Sequence, residues 1–336
     1  MAKTTLSADF KDLKKQNIKY VKMLQDANDM GYLQSSFTKL DRISACSDYV
    51  NFIADETLQH LKVHKGSYCH DPYCPICASR KGYKIALELY TLLNFCLSKK
   101  YKAVFLTLTC PNCPGSLLPE RIRCLKAAWR KFYRRKDFLS GKCYGCWVSW
   151  ECTYSEETGF HPHAHVILIV RNSYFNKHNI WTPEDFAREW QACTGLNIAT
   201  NAIEIETVDN MQRANKLTLN TLQNKKTAKN SFEGLIKYVN DTDLWYLDNP
   251  KAFSYMYKAF FGIQRYHYTG CFRQLHKVYK MGLLDDFAPA DDVDYVYVVE
   301  CHYNYSTTSY VIDSLLDLRT NSPPDAAVRQ RLDLII

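Results

Sequence analysis

Hydrophobic residues along this chain follow two different spacings, and the changes between them mark the predicted elements. In KIALELYTLLNFCLSK they recur every three to four residues, which predicts an amphipathic helix, and the following KAVFLTLT is a β-rich apolar run. A second helical pattern, LPERIRCLKAAWRKFYRRKDF, occupies residues 118–138. The strands WVSWECTY and FHPHAHVILIV then flank SEETG, whose glycine and polar residues predict the turn of a β-hairpin.

The pattern after the hairpin adds a helix, a strand and a short helix. TPEDFAREWQACTG has Thr182 as its N-cap and Gly195 at its C-terminal cap, NAIEIETV alternates as a strand, and SFEGLIKYVND is the short helix. This order predicts an α+β domain over residues 101–245, with an antiparallel β-sheet flanked by helices. Residues 1–100 are expected to form a helical lead-in with a cysteine-rich zinc element. Residues 246–336 are expected to form a C-terminal α/β extension, for which DNA binding and oligomerisation are both open roles.

The composition is that of a globular protein. Hydrophobic residues make up 46% of the chain, and no apolar run approaches the roughly 18–20 residues of a membrane span. The first twenty residues are polar and charged, so we expect a cytoplasmic protein whose 14 cysteines are metal ligands or free thiols. The net charge of +8 suits a polyanionic partner, but so modest an excess does not by itself identify one.

Three histidines at alternate positions of one predicted strand, His161, His163 and His165, are the first chemical signal. Because side chains alternate between the two faces of a strand, the three rings lie on one face. If the hairpin turns within SEETG, Glu151 lies across from them on the paired strand. Two imidazoles and a carboxylate, here His163, His165 and Glu151 with His161 as a further candidate ligand, can hold a divalent cation and leave positions open for a phosphate. A register shift of one residue would point Glu151 away, and solvated histidines at a sheet rim are the alternative.

A cysteine cluster gives a second signal. Cys69, Cys74 and Cys77 follow the pattern C-x4-C-x2-C, and its second half is typical of a tetrahedral zinc site. The site needs a fourth ligand, for which Cys46 and His70 are the candidates. A chance group of free thiols is the alternative.

Two further C-x2-C pairs stand at Cys110 and Cys113 and at Cys143 and Cys146. The first pair closes one predicted strand and the second opens another. If these strands are antiparallel neighbours, the four thiols would meet and form a second zinc site. Four unligated cysteines are the alternative.

The predicted helix over residues 118–138 carries a dense set of cations that could bind the DNA backbone. Trp129, Phe132 and Tyr133 lie between these cations, so the rings either stack on DNA or pack inward while the charges are solvated. The DNA-binding candidates of this helix are Arg121, Arg123, Arg130, Lys131, Arg134 and Arg135.

Together these segments resemble the HUH endonucleases, and more closely the plasmid rolling-circle replication initiators of the Rep_1 type. The resemblance runs from about residue 40 to residue 275. It is carried by FLTLT, WECTY, HPHAHVILI, the pair Lys237 and Tyr238, the cysteine cluster with Cys46 and CPICASR, and RYHYTGCFRQL. The resemblance implies that His163 and His165 bind Mg²⁺ or Mn²⁺ and that Tyr238 attacks DNA. Lys237, beside this tyrosine, is a further DNA-binding candidate.

One departure from the family pattern concerns a second acid. Members of this type tend to place a glutamate four residues before the tyrosine, where it activates water for a terminating cleavage, but here that position is Gly234. Glu233 lies about 140° around a helix from Tyr238, whereas Asp241 lies about 60° away. Both acids therefore remain candidates for this role.

The function implied by the resemblance is nicking of one strand of origin DNA, which leaves a 5′-phosphotyrosyl link and a free 3′-OH for rolling-circle plasmid replication. Origin DNA, a host helicase and a polymerase are the expected partners, and a homodimer is open. Two other hypotheses compete, namely a transposase or mobilisation nuclease of the same fold, and a non-catalytic zinc-containing DNA-binding regulator. A regulator would tolerate the loss of the Tyr238 hydroxyl.

Overall fold

The residues that a computed structural model of the chain describes are 5–135, 143–176, 180–200, 203–208, 244–289 and 293–336. They form two compact units, one within residues 82–290 and one within residues 1–81 and 291–336. The architecture is α+β with antiparallel sheets flanked by helices, as predicted. The boundaries of the two units differ from those of the three predicted segments, because residues after 246 contribute to both units.

The described residues contain helices and strands whose bounds fix the labels used below. The helices are α1 (Thr5–Asp29), α2 (Phe37–Ser44), α3 (Pro75–Ser98), α4 (Leu118–Tyr133), α5 (Pro183–Thr194), α6 (Pro250–Phe260), α7 (Cys271–Lys280) and α8 (Ala326–Ile335). The strands are β1 (Tyr49–Asp55), β2 (Leu61–Gly66), β3 (Lys102–Thr109), β4 (Cys143–Ser155), β5 (Gly159–Val170), β6 (Glu204–Val208), β7 (Tyr266–Gly270), β8 (Tyr295–Asn304) and β9 (Ser309–Asp317).

The unit within residues 82–290 is built on a five-stranded antiparallel sheet in the order β6-β3-β5-β4-β7. The histidine strand β5 is its central strand and is buried along most of its length. Helices cover this strand from both sides, which explains why its apolar residues form a nearly continuous run rather than a strict alternation. The sheet is therefore a rigid support for the side chains at the end of β5 that carries the histidines.

One face of this sheet is divided into an apolar part and a polar part. Phe105, Ile167 and Trp147 form an apolar row across β3, β5 and β4, and they pack with α3 and with Phe272 of α7. The polar rows lie beyond this apolar row. The first contains Thr107, His165, Ser149 and Tyr266, and the next contains Thr109, His163 and Glu151.

Helix α4 lies on the opposite face of the sheet. In β7 the side chains of Tyr266 and Tyr268 point to one face and that of His267 points to the other. The ring of Tyr268 stacks on His276 of α7, with centroids 4.7 Å apart. Burial first, and then the charges of Lys126 and Arg130 of α4, lower the pKa of His267. Helices α7 and α4 therefore cover opposite faces.

The second unit contains a four-stranded antiparallel sheet in the order β2-β1-β8-β9. β8 pairs with β9 of the C-terminal segment on one side and with β1 of the N-terminal segment on the other. Phe10 of α1 packs against Phe52 and Tyr310 of this sheet, with ring centroids 5.8 Å and 5.7 Å away. Residues from both ends of the chain thus share one core.

Candidate functional site

The β4–β5 hairpin sets the register of the histidine face. Ser155 pairs with Gly159, and Gly159 has φ +80°, a conformation that glycine adopts without strain. A Cβ atom at this glycine would lie 2.8 Å from the carbonyl oxygen of Cys113, so a side chain would not fit. From this turn the pairing places Glu151 directly opposite His163. The predicted register is confirmed.

Glu151, His163 and His165 form a group whose ligand atoms all lie within 4.8 Å of one another. Glu151 Oε2 is 3.5 Å from His165 Nε2 and 3.8 Å from His163 Nε2. The side chains are 14%, 7% and 16% exposed for Glu151, His163 and His165, so the group is nearly buried but still reaches solvent. Glu151 stands on β4 and the two histidines on β5, so a shift of one residue between these strands would point Glu151 to the other face.

Neighbouring polar groups orient the three side chains. Ser149 Oγ donates a hydrogen bond to Glu151 Oε1 at 3.1 Å, and Thr107 Oγ1 lies 3.4 Å from His165 Nδ1. His163 Nδ1 lies 3.1 Å from the carbonyl oxygen of His161. Because a carbonyl only accepts, this Nδ1 carries a proton, which leaves Nε2 on the side of Glu151 as the nitrogen available to a metal ion. Such contacts from the second nitrogen of a histidine are typical of metal ligands.

The group has the chemistry of a divalent cation site. Glu151 Oε2 is buried and accepts no hydrogen bond from any residue that the structure describes. Burial raises the pKa of the Glu151 carboxyl, but contact with His165, the charges of both histidines and the Ser149 hydrogen bond together lower it below its ordinary value. The carboxylate is therefore ionised at neutral pH. A buried anionic oxygen beside two imidazole nitrogens is a donor set that can hold a divalent cation.

His161 does not belong to this group. Its Nδ1 lies 2.6 Å from Asn112 Oδ1, and its ring stacks beside that of His163 with centroids 5.5 Å apart. The structure therefore places His161 next to the site, where the sequence predicted it as a further ligand. Asn112 and Tyr266 also border the site, and no sequence pattern predicts a site role for Asn112. No local pattern marks either residue, because each reaches the site through strand pairing or loop packing.

The cysteine cluster is in the other unit. The Sγ atoms of Cys46, Cys69, Cys74 and Cys77 lie within 4.8 Å of one another, with close pairs at 3.6 to 3.7 Å. These distances are far too long for disulfides. The edge of a sulfur tetrahedron around Zn²⁺, at a Zn–S distance of about 2.3 Å, is about 3.8 Å. The observed spacing therefore fits a structural zinc site, with Cys46 as the fourth ligand.

His70 is not the fourth ligand, although its backbone shapes the site. It has φ 58° in the turn between Cys69 and Cys74, and its side chain is exposed. Cys77 lies in the first turn of α3, which begins at Pro75. Contacts among the four sulfurs lower the pKa of the Cys77 and Cys69 thiols and raise that of the Cys46 and Cys74 thiols, so without an ion two of the four sulfurs favour the thiolate. Thiolates are the form of cysteine that binds metal.

Helix α1 contributes two polar side chains whose roles no sequence pattern predicts. Asn17 Nδ2 donates a hydrogen bond to Cys74 Sγ at 3.3 Å. Lys14 is fully buried, and its Nζ donates to the carbonyl oxygens of Ser44 and Cys46 and to Asp48. A lysine in a polar helix is usually solvated, so only the fold reveals this contact.

The predicted second zinc site is wrong. β3 and β4 are not neighbours, because both pair with β5 and so run parallel to each other. β3 ends opposite His163, whereas β4 begins opposite Val170, which places the two cysteine pairs at opposite ends of β5, roughly 20 Å apart. Cys110 donates to the carbonyl oxygen of Pro162, and Cys146 contacts Thr269 instead.

The aromatic residues of the basic helix pack inward. Trp129 and Phe132 are buried, and Phe132 contacts Trp190 of α5. The candidate cations of α4 differ in exposure. Arg123, Arg130 and Lys131 of α4 and Arg134, its C-cap, are exposed. Arg135 is exposed as well but pairs with Glu189, and Arg121 is half-buried beside Cys110 and Cys113.

Four predicted site residues lie outside the described residues, namely Glu233, Lys237, Tyr238 and Asp241. No described helix is long and apolar enough to cross a membrane.

Comparisons with known proteins place the chain among replication proteins. The Rep_1 family model, described as "Replication protein", matches residues 60–310. A protein named "Protein rep" from Staphylococcus aureus is 31% identical over 165 residues, which are 48% of this chain and 72% of the relative. A "Protein rep" from Bacillus sp is 27% identical over 74% of this chain and 83% of the relative, and one from Lentilactobacillus hilgardii is 23% identical over 90% and 94%. No solved structure matches the chain significantly. Because the family model matches well over half of its length, the chain belongs to the Rep_1 family of replication proteins.

Proposed function

We propose that this chain is a plasmid replication initiator that nicks one strand of origin DNA through an HUH-type endonuclease site. The observation that carries the proposal is the convergence of Glu151, His163 and His165 in a chain of the Rep_1 family. The antiparallel sheet with its histidines on the central strand also supports the HUH-like fold class.

Glu151, His163 and His165 would hold the catalytic cation, with His161 beside them. A divalent cation at this position supplies charge stabilisation to the phosphate during attack. Ser149 keeps Glu151 in place through its hydrogen bond, and the His161 carbonyl fixes the His163 ring. These contacts hold the donor set in one arrangement, so little reorganisation is needed when a phosphate arrives.

Tyr238 is the proposed nucleophile. Its phenolic oxygen forms a bond to phosphorus, the bond from phosphorus to the 3′-oxygen breaks, and the phenolic proton is transferred so that the released strand ends in a 3′-OH. A polymerase can extend this end, and the phosphotyrosyl bond retains the energy needed for rejoining. Glu233 and Asp241 are the two candidates for activating water in a second cleavage.

The four cysteines are proposed to bind one structural Zn²⁺. Their sulfur ligands are closed around the site and leave no position for substrate, which is typical of structural zinc. The exposed α4 cations Arg123, Arg130, Lys131 and Arg134 are proposed to bind DNA outside the metal centre, because α4 covers the opposite face of the sheet. Host helicase and polymerase, and a second copy of the chain, remain proposed partners.

A covalent adduct is the direct test. Mixing the protein with Mn²⁺ and a labelled single-stranded oligonucleotide carrying the nick site should give a species that survives denaturing electrophoresis. Tyr238→Phe should abolish the adduct and keep oligonucleotide binding, because it removes only the phenolic oxygen. Tyr154→Phe is a matched control on the β4 strand and should form the adduct normally. Specific binding by the wild-type protein without an adduct, under any metal, would refute the nuclease and favour a DNA-binding regulator.

A further inference from the structure

Helix α7 carries a stripe of exposed cations that the functional proposal does not yet use. Arg273, Lys277 and Lys280 stand at positions i, i+4 and i+7, so they lie along one side of the helix. The helix sequence CFRQLHKVYK contains no acidic residue. The three cations make no ion pair or hydrogen bond with any residue that the structure describes. We call these three residues the α7 stripe.

The inner side of α7 fixes the outward direction of the stripe. Phe272 is fully buried in the core of the sheet. His276 stacks on Tyr268 and pairs through Nδ1 with Glu88 of α3. Glu88 is itself buried, so its charge is compensated inside the unit and does not neutralise the stripe. The helix therefore presents its positive side to solvent on a well-packed base.

The stripe lies on the same face of the sheet as the metal centre. Tyr268, against which α7 packs, belongs to the row of Trp147 and Ile167. The adjacent row contains His165, and the next contains His163 with Glu151. Because rows on one face are two residues apart along a strand, the Tyr268 row on which α7 packs lies roughly 7 Å from the row of His165 and roughly 14 Å from that of His163 and Glu151.

We propose that the α7 stripe binds the phosphate backbone of the single strand that is held at the metal centre. This inference rests on the proposed nuclease function and adds a substrate-binding surface to it. Unpaired cations beside a phosphate-binding site match the charge of a nucleic acid strand, and the stripe extends about 10 Å, enough for a few consecutive phosphates. The exposed cations of α4 cannot serve this strand, because they lie across the sheet.

The test measures binding of a fluorescein-labelled, 20-nucleotide single strand by anisotropy in chelator, so that no cleavage occurs. Arg273→Gln with Lys277→Gln removes two of the three cations. The matched control is Lys251→Gln with Lys258→Gln, which removes two exposed cations of α6. All substitutions are at exposed helical positions and should leave the thermal midpoint unchanged.

The α7 variant should bind more weakly than the wild type, and the control should not. Loss of two phosphate contacts should lower the slope of log affinity against log salt by about 1.4, which corresponds to about a tenfold loss at 0.15 M salt relative to 1 M. An unchanged affinity and slope would overturn the proposal. If the α7 variant kept the salt dependence of single-strand binding but bound poly-glutamate more weakly than the wild type, the stripe would be a site for an acidic protein. That result would overturn the proposal too.

Failure of this inference can be separated from failure of the nuclease proposal. The binding measurement needs neither Tyr238 nor metal, whereas the covalent adduct needs both. Wild-type binding that depends on the stripe, without an adduct, would retain the stripe and refute the nuclease. If the wild type forms the adduct but the α7 substitutions do not change binding, the nuclease proposal stands and the α7 stripe proposal is refuted.

Discussion

Replacement of Glu151 by glutamine tests the metal centre most directly. Gln has nearly the shape of Glu and keeps an oxygen for the hydrogen bond from Ser149. It removes the negative charge that lies 3.5 Å and 3.8 Å from the two histidine Nε2 atoms. We therefore expect Glu151→Gln to weaken divalent cation binding strongly while leaving the cation-free fold intact.

The expected size of the effect follows from ligand linkage. At a Mn²⁺ concentration about 100 times the wild-type dissociation constant, bound cation stabilises the wild type by about 2.7 kcal/mol. Loss of a group that only hydrogen-bonds a metal ligand weakens metal binding by about 10–100-fold. Because Glu151 is proposed as a ligand itself, we expect its loss to weaken Mn²⁺ binding by about 100-fold. The variant would then gain only about 0.4 kcal/mol. For a unit of about 200 residues the difference corresponds to about 5–9 °C in the Mn²⁺-induced shift of Tm.

The assay is thermal unfolding in chelator and across a Mn²⁺ titration, with nicking of supercoiled origin DNA followed in parallel. In chelator the variant should unfold within about 1 kcal/mol of the wild type, because the carboxylate oxygen that it loses accepts no hydrogen bond from a described residue. Glu157→Gln, at the exposed turn of the same hairpin, is the control and should shift with Mn²⁺ as the wild type does. An equal Mn²⁺ shift in Glu151→Gln and wild type would refute the assignment of Glu151 as a ligand.

Three further predictions concern the other unit. Cys77→Ser should lower the zinc content of the purified protein from one ion per chain to none, and Cys143→Ser should leave it at one. Metal analysis measures both, and loss of zinc from both variants would contradict the assignment of the site. Lys14→Met should lower the free energy of unfolding in urea by about 3 kcal/mol because it leaves Asp48 without its buried cation, whereas exposed Lys15→Met should stay within about 0.5 kcal/mol of wild type. Burial raises the pKa of Asp55, but hydrogen bonds from Thr57 and His60 lower it by more than burial raises it. The pKa of Asp55 in the folded protein therefore lies below the ordinary 3.8. Asp55→Asn should therefore have a lower free energy of unfolding than the wild type at pH 7, and this difference should vanish as the pH falls through and below 3.8. Urea unfolding across this pH range measures it, and a difference that does not change with pH would contradict the lowered pKa of Asp55.

The parts of the fold that the sequence predicts well are those set by neighbouring residues. The β4–β5 hairpin has a short polar turn with Gly159, so its register follows from local sequence and gives the pairing of Glu151 with His163. The helix cap at Thr182 and its capping box with Asp185 are local in the same way. These patterns need no knowledge of the distant chain.

The parts that the sequence does not predict depend on long-range pairing. The order of β3, β5 and β4 separates Cys110 from Cys143, and nothing within either C-x2-C pair reveals that a third strand lies between them. The same applies to Tyr266, which joins the site row through pairing with Ser149 more than a hundred residues earlier. Lys14 was equally hidden, because its burial results from acceptors on three residues beyond α1.

The two metal sites differ in what holds their ligands, and this difference predicts how each responds to metal removal. Glu151, His163 and His165 stand on paired central strands whose ladder hydrogen bonds persist without any ion, so chelation should abolish nicking and leave the sheet folded. The cysteines instead lie outside the ladders: Cys46 precedes β1, Cys69 follows β2, and Cys77 lies in the first turn of α3, where its sulfur contacts those of Cys46 and Cys69. Closed sulfur ligation also binds zinc more firmly than an open oxygen and nitrogen set binds Mg²⁺. Mild chelation should therefore remove activity first, and loss of zinc under stronger chelation should coincide with unfolding of the segment around Cys69.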